Sequence, residues 1–425
     1  MAEKDLLKDR PFLMLLLGRF LAIMASVAAP SAVAFGVLAS PGGTPTRLSI
    51  VMACESVPML AFMLAGGVVA DRYRRNRVIV VGLALSASSF TMIGIILVSG
   101  WLPWWASGIC AAAAGIGLSI MNPALAGIVP QLVAAKDLHA ANNLIGLVRN
   151  TARILGVMVA GVLVAAVGGG RTLIACGAAF VIAAVPFALL SIRVPRGGPR
   201  EANSFVRDLR DGWKEFTKRE WLWVVVLQSS LHFMAYEAAV GVIGPALANA
   251  ELGGAKPWSW IVACESAGMF AGVLVAMKWK PRRTILAGVL ATALTMPTPF
   301  ILLGVGAPVV MVMGAMVLNG MGMSMIAVLW ATTVQVKVPS HALSRVSAYD
   351  ALGSNLMAPA GLLLAGPAIA VLGTRGAILA SGGMLLVVTL FSLLSRDVRV
   401  VRVEPNEKTE QEVRATVSVD AERDD

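Results

Sequence analysis

Long apolar stretches separated by short polar ones make up most of this sequence. Each stretch has about 20 residues with almost no charge, the length at which an α-helix crosses the hydrocarbon layer of a membrane. A backbone segment in lipid has to satisfy its own hydrogen bonds, so we predict that these stretches are helices. We place twelve spans, at residues 11–38, 48–70, 78–100, 104–132, 140–168, 172–193, 220–248, 257–277, 284–305, 308–336, 341–370 and 376–395.

Composition and charge agree with a membrane protein. Hydrophobic residues make up 57% of the chain and charged residues 14%, which leaves too little polar surface for a soluble protein. The formal net charge is +11, but most Lys and Arg residues lie in the two tails and in the loops on one side of the predicted bundle. Only Arg47, Arg171, Lys256 and Arg375 fall in the loops on the other side. This asymmetry predicts that both termini are cytoplasmic and that no nucleic acid is bound.

The two halves of the sequence repeat each other. The tetrapeptide Ala-Cys-Glu-Ser at 53–56 recurs at 263–266, and the Gly-x-Gly-x-Ser motif at 115–119 recurs at 320–324. Matches in the same order, with six spans in each half, predict a parallel repeat. We therefore predict an N-terminal six-helix bundle at 1–193, a cytoplasmic linker with an amphipathic helix at 194–219, a C-terminal bundle at 220–395 and a disordered cytoplasmic tail at 396–425.

The loop after the second span carries a recognisable motif. Residues 67–77 read Gly-Val-Val-Ala-Asp-Arg-Tyr-Arg-Arg-Asn-Arg and resemble the cytoplasmic loop motif of the major facilitator superfamily. Residues 18–20, 123–142 and 328–346 resemble the enterobactin-exporter and macrolide-efflux branch of its drug:proton antiporters. The resemblance implies an all-α membrane protein of two six-helix repeats. It also implies that Gly67 permits close helix packing, that Asp71 faces the start of the eleventh helix, and that Arg72 and Arg75 latch the cytoplasmic side.

Three carboxyl groups lie deep inside predicted spans, away from the span ends, where a charge is costly. Glu55 and Glu265 occupy equivalent positions of the repeat, each roughly 12–14 Å from the outer end of its span at 1.5 Å per residue. Glu237 lies near the middle of the seventh span. We predict that at least one of these groups binds and releases protons during transport. The alternative is that they only brace helix contacts by accepting hydrogen bonds.

Two arginines lie one helical turn apart in the fifth span. Arg149 and Arg153 share a face at this spacing. In the superfamily's fold the fifth span faces the eighth, so the resemblance implies that Arg149 lies near the level of Glu265. We predict an ion pair between them, an inter-half gate with Arg153 beside it, that forms in one access state and breaks in the other. A permanent ion pair is the alternative.

Three further polar residues within spans are candidates for contact with cargo. We predict that Arg19 in the first span faces the cavity and attracts an anionic group of the substrate. Arg19 is otherwise expected to snorkel or to pair within its own half. Asn122 and Asn319 lie in the fourth and tenth spans, which line the cavity in the resembled fold, and are predicted to donate hydrogen bonds to cargo.

Motifs of enzymes and ATP-driven pumps are absent from the sequence. It has no Walker motif, nucleophile elbow, metal-ligand cluster or dinucleotide fingerprint in a usable context, so we predict no enzyme activity, metal or other cofactor. We predict a monomeric secondary transporter of the bacterial inner membrane that exports amphipathic or hydrophobic small molecules, drug-like or siderophore-like, in exchange for protons. The alternatives are uptake or facilitated diffusion without protons, lipid flipping, and a non-transporting receptor or scaffold, for which inserting buried charges would serve no purpose.

Overall fold

The described residues form a helical bundle. The computed structural model describes residues 6–63, 66, 69, 73–100, 103–134, 137–190, 213, 214, 216–279, 281, 283–338 and 340–400, and every regular element in these ranges is a helix. The helices are α1 (Arg10–Ala39), α2 (Pro45–Ala61), α3 (Arg75–Ser99), α4 (Trp104–Leu132), α5 (Leu138–Val167), α6 (Gly169–Leu189), α7 (Glu220–Leu252), α8 (Ala255–Lys278), α9 (Thr284–Gly304), α10 (Val309–Lys337), α11 (Ser340–Asn355), α12 (Ala358–Ser392) and α13 (Arg396–Val400).

Ten segments of the described chain are long and apolar enough to cross a membrane. The apolar helix α2 has 17 residues and is not among these ten. The last of the ten, Tyr349–Ser392, contains Gly373, whose φ of 72° interrupts the helix within α12. The structure therefore confirms a multi-pass helical protein, while the count of twelve spans and the cytoplasmic position of both termini stay predictions.

The predicted span at 341–370 is broken in the structure. α11 ends at Asn355, and α12 begins at Ala358 with a proline in its first turn. Pro359 has no N–H to donate to the carbonyl of Asn355, and its ring would clash with that carbonyl in a continuous helix. The apolar pattern runs through this position without change, which is why hydropathy alone joined the two helices.

The helix α7 contains two π-helical segments, Ala238–Ile243 and Ala248–Leu252. Pro245 lies between them and cannot complete the regular hydrogen-bond ladder, which favours a local change of register. A side chain at Gly244 would collide with the ring of Trp258 in α8, so glycine allows α7 and α8 to approach closely. Such π segments are frequent at functional sites.

Equivalent glycines make equivalent contacts in the N-terminal half (α1–α6) and the C-terminal half (α7–α12). Gly156 of α5 packs against the backbone of Met24 in α1, and Gly361 of α12 packs against the backbone of Met234 in α7. Each of these four residues has its counterpart in the repeat. Residues at equivalent positions of the sequence repeat therefore make equivalent helix contacts in the two halves.

The two halves meet along two seams, α5 with α8 and α2 with α12. Gly161 of α5 packs against Ser259 of α8, and Gly366 of α12 packs against Ser49 of α2. Along α5, Arg149 and Arg153 are exposed, whereas residues from Gly156 towards the end of the helix are buried on this face. The halves are therefore closed together where α5 ends and apart where α5 begins.

Parts of the predicted linker and tail fall outside the described residues. In the linker, Trp213 and Phe216 stack with ring centroids 5.7 Å apart, and both rings contact Tyr349 of α11. The predicted tail begins with the short helix α13, whose Val398 is fully buried. Residues 191–212, which include most of the linker, lie outside the described chain, as do residues 215 and 401–425.

Candidate functional site

A cavity of about 680 Å³ lies between the two halves. Its walls come from α1, α2, α4 and α5 on one side and from α7, α8, α11 and α12 on the other. Most lining residues are apolar or small, and the ionisable ones are Glu55, Arg153, Tyr236, Glu237 and Glu265. Small-molecule sites in proteins typically occupy about 300–1,000 Å³, so the cavity has room for one organic molecule.

Glu265 lies on α8 and is held by hydrogen bonds from two other helices. Its side chain is only 4% exposed. The Tyr236 hydroxyl lies 2.6 Å from Oε2 and 2.8 Å from Oε1 of the carboxylate, and Asn319 donates from Nδ2 to Oε1 at 3.0 Å. Gly320 packs against the backbone of Glu265, which brings α10 close enough for the neighbouring Asn319 to reach the carboxylate. A buried carboxylate needs such donors because it has lost its hydration.

Glu55 lies on α2 at the equivalent position, but its carboxyl group is more open. It is half-buried and lines the cavity, and Gly115 packs against its backbone as Gly320 does against that of Glu265. Among the described residues no side chain donates a hydrogen bond to it. The carboxyl group of Glu237, on the opposite half, lies close enough to repel it electrostatically.

Glu237 lines the cavity at the start of the first π segment of α7. It repels Glu265 as well as Glu55, so it is electrostatically connected to both members of the repeat pair. His232, five residues earlier, points away from the cavity. Its Nε2 lies 2.8 Å from the Thr389 hydroxyl and 3.2 Å from the Leu385 carbonyl oxygen, so it joins α7 to α12.

The arginines of α5 have different surroundings. Arg153 lines the cavity and attracts Glu265 electrostatically. Arg149 is exposed and lies near Arg19 of α1, which it repels. Within the described chain no ion pair joins Arg149 to Glu265 in this conformation, and the pair predicted for another access state stays a prediction.

Of the three other residues predicted to contact cargo, one lines the cavity and two do not. Asn122 is exposed and lines the cavity. Asn319 and Arg19 are not among the lining residues, because Asn319 is fully buried beside Glu265 and Arg19 lies partly buried next to Arg149. Direct contact of either residue with cargo stays a prediction.

The loop motif is only partly described. Gly67, Asp71 and Arg72 lie outside the described residues, so the roles implied for them are not visible. Arg75 begins α3 and donates a hydrogen bond to the Gly127 carbonyl of α4. The neighbouring Asn76 donates from Nδ2 to the Leu190 carbonyl at 2.8 Å. The start of α3 is thereby tied to the ends of two neighbouring helices of its own half.

Tyr236 is a residue of the site that was not predicted from the sequence. The sequence contains three tyrosines, and Tyr236 alone lies in the middle of an apolar span. A hydroxyl at that depth needs a hydrogen-bond partner, and this signal would have paired it with one of the intramembrane carboxyl groups.

A multi-pass bundle of two repeated halves around a central cavity is the architecture of a membrane transporter. The sequence profile of the Major Facilitator Superfamily matches residues 15–348 and 229–421. The chain therefore belongs to the Major Facilitator Superfamily, as the loop motif indicated, and family membership makes it a transporter rather than an enzyme.

Known proteins similar to this chain include an efflux protein and several transporters of solved structure. The chain is 22% identical over 222 residues to macrolide efflux protein A of Streptococcus pyogenes, a match that covers 52% of this chain and 54% of that protein. The chain thus spans about half the length of the curated relatives it matches.

Solved structures match over most of the chain at low identity. The nucleoside transporter NupG has a TM-score of 0.74 at 12% identity, with 90% of this chain and 98% of that chain covered. A POT family transporter in complex with a thioalcohol conjugated peptide has a TM-score of 0.70 at 13% identity (91% and 96% covered). A bacterial homologue of the human lysosomal transporter Spinster, inward-facing and unoccupied, has a TM-score of 0.67 at 13% identity (95% and 99%). These likenesses show the fold.

Proposed function

We propose that this protein is a secondary transporter of the bacterial inner membrane that exports amphipathic small molecules in exchange for protons, working as a monomer by alternating access. The observation that carries the proposal is the cavity between the halves, about 680 Å³ in volume, with Glu55, Glu237 and Glu265 in its walls. Carboxyl groups placed where cargo would sit are suited to exchanging a proton for cargo. The proton gradient is the proposed energy source.

The walls of the cavity indicate the chemistry of the cargo. Met52, Met59 and Met63 line it, and flexible thioethers adapt to varied apolar shapes. Three carboxyl groups face one arginine, Arg153, so the field in the cavity favours a cargo with a positively charged group. We therefore propose an amphipathic cargo that is apolar over most of its surface and carries a basic group.

The conformation suits the loading state of an exporter. The seams are closed at Gly161–Ser259 and Gly366–Ser49, and the cavity opens towards the end at which α5 begins. If that end is cytoplasmic, as the distribution of Lys and Arg predicts, the cavity receives cargo from the cytoplasm. Rocking of the halves would break these two contacts and open the other end.

The similarity to macrolide efflux protein A supports export as the direction. A transport assay tests direction and coupling together. Purified protein is reconstituted into liposomes whose lumen is acidic, and accumulation of ethidium and of radiolabelled erythromycin is followed. Ethidium carries a permanent positive charge, so it is not trapped by the pH difference itself. Protein-free liposomes and a triple variant, Glu55→Gln with Glu237→Gln and Glu265→Gln, serve as controls.

We expect the acidic lumen to drive uptake of the probes through those protein molecules whose cytoplasmic side faces the external medium. A proton ionophore should abolish this uptake. Movement of either probe down its own gradient, with no response to pH, would favour facilitated diffusion. Failure of both probes to move under any gradient, with correctly folded protein, would contradict the proposal.

A further inference from the structure

The two repeat-related carboxyl groups, Glu55 and Glu265, have different hydrogen-bonding environments. The residues that hold Glu265 are Tyr236 and Asn319. The N-terminal half has Ser26 in place of Tyr236, since each lies 29 residues before its glutamate. It has Ala114 in place of Asn319, since each directly precedes the glycine, Gly115 or Gly320, that packs against the backbone of that glutamate. Ala114 and Asn319 are both fully buried, so the packing is preserved while the amide is present on one side only.

The N-terminal counterparts offer Glu55 no hydrogen bond. The Ser26 hydroxyl donates to the Ile23 carbonyl of its own helix at 3.0 Å, and the methyl group of Ala114 has nothing to donate. The backbone contacts Gly115–Glu55 and Gly320–Glu265 are alike, so the difference lies in side chains and not in the position of the helices. The repeat has been modified around one carboxyl group.

The groups around Glu265 satisfy both of its protonation states. The charged carboxylate accepts hydrogen bonds from the Tyr236 hydroxyl and the Asn319 amide. The neutral carboxyl group instead has an O–H to donate, and the Tyr236 oxygen within 2.8 Å is able to accept it. Asn319 Oδ1 is buried without a hydrogen-bond partner among the described residues, so rotation of the amide supplies a second acceptor.

We propose that Glu265, and not its repeat partner Glu55, is the site of the transported proton, with Tyr236 and Asn319 as the positioning residues that hold both of its protonation states. One proton from the outer aqueous phase forms an O–H bond on Glu265. The same bond breaks when the proton passes to water on the cytoplasmic side, so the site returns to the carboxylate. This inference rests on the proposed function and assigns its coupling site.

The charged groups that face Glu265 fit this role. Arg153 of α5 attracts the carboxylate and Glu237 of α7 repels it, so both protonation states receive electrostatic support. The partner from α10 is the uncharged Asn319, and Arg19 of α1 lies beside Arg149 rather than Glu265. Glu55 and Glu237 remain open to the cavity, where they are available to a basic group of the cargo.

The test is infrared difference spectroscopy of the full chain in lipid nanodiscs, recorded while the pH is stepped across the neutral range without cargo. We expect a carboxyl C=O band that titrates in the wild type, is lost in Glu265→Gln and is retained in Glu55→Gln. In Tyr236→Phe and in Asn319→Leu the band should shift to higher wavenumber, because the carboxyl group loses a hydrogen bond. These two variants keep the carboxyl group itself and so test the inference even if Glu265→Gln fails to fold.

Two results would overturn the inference. One is a titrating band that persists in Glu265→Gln or is lost in Glu55→Gln. The other is a band that Tyr236→Phe and Asn319→Leu both leave unmoved, since positioning residues must affect it. Failure of the proposed function is distinguishable, because transport that ignores the pH gradient while the Glu265 band titrates would refute proton-coupled export and leave the proton-binding group identified.

Discussion

Gly161 of α5 lies so close to Ser259 of α8 that no side chain fits between them. This contact closes the seam between the halves at one end of the molecule. Gly366 of α12 and Ser49 of α2 form the equivalent contact on the other side of the cavity. Opening the cavity at this end requires both contacts to break, so they hold the conformation that the structure shows.

Replacement of Gly161 by valine is therefore expected to favour the opposite access state. Overpacking of a tight contact typically costs about 1–3 kcal/mol, which changes the ratio of the two states by roughly 5- to 150-fold. Spin labels at Val167 and Lys256, in a background without the four native cysteines, report the separation of α5 and α8 at this end. We expect the longer-distance population to grow.

The matched control is Gly146→Val on the same helix, where no atom of a packed neighbour lies within 4 Å of an added Cβ atom. It should leave the distance distribution unchanged. An unaltered distribution in Gly161→Val would contradict the assignment of Gly161–Ser259 as a closing contact.

A second prediction concerns the charge of the cargo. Glu55→Gln and Glu237→Gln each remove a negative charge from the cavity wall while keeping the shape of the side chain. Ethidium should bind roughly tenfold more weakly to either variant, about 1.4 kcal/mol, because its positive charge loses a favourable interaction. Binding is measured by fluorescence titration of purified protein, with an uncharged dye such as Nile red for comparison.

The uncharged dye should bind nearly as well to both variants as to the wild type. Glu251→Gln is the matched surface control, because Glu251 is paired with Arg375 at 2.7 Å in an exposed position away from the cavity. Equal losses for ethidium and the uncharged dye would argue that the carboxyl groups act on the shape of the cavity rather than on the charge of the cargo.

A third prediction concerns the aromatic cluster where α10 and α11 approach each other. Trp330 donates from Nε1 to Oδ2 of Asp350 at 2.8 Å, and its ring meets that of Trp221 with centroids 5.5 Å apart. Trp330→Phe keeps most of the packing and leaves Asp350 without this donor. We expect a loss of about 1–3 kcal/mol in stability and a lower unfolding temperature in detergent, measured by intrinsic fluorescence.

Trp279→Phe, at an exposed tryptophan, should leave the unfolding temperature within error of the wild type. Trp330→Phe should retain ethidium binding, because neither Trp330 nor Asp350 lines the cavity. An unfolding temperature equal to that of the wild type would mean that the Trp330–Asp350 hydrogen bond contributes nothing to stability.

The sequence is informative about the fold because membrane insertion leaves a strong apolar signal and because the repeat doubles each motif. The equivalence of Glu55 and Glu265 followed from the recurring Ala-Cys-Glu-Ser alone, and the structure places both in the walls of the cavity. The same signal failed at Asn355–Ala358, because hydropathy does not respond to the loss of one backbone donor at Pro359. Hydropathy does not predict the π segments of α7 either.

Which carboxyl group Tyr236 and Asn319 would contact was beyond prediction for a different reason. Tyr236, Glu265 and Asn319 come from three helices, and whether their side chains meet depends on helix rotation and on the close approach at Gly320. The arginines show the same limit. Helical spacing placed Arg149 and Arg153 on one face, but only the packing of the two halves decides that Arg153 is the one lining the cavity.

Coupling between cargo and protons is the central claim. It is tested most directly by using a gradient of cargo to drive the movement of protons. Liposomes containing the protein and a trapped pH-sensitive dye are given an ethidium gradient with no initial pH difference. We predict that ethidium entering the lumen drives protons out, so that the lumen becomes alkaline, and that this response is absent in Glu265→Gln. Ethidium entry at the wild-type rate with no change in lumenal pH would contradict the account.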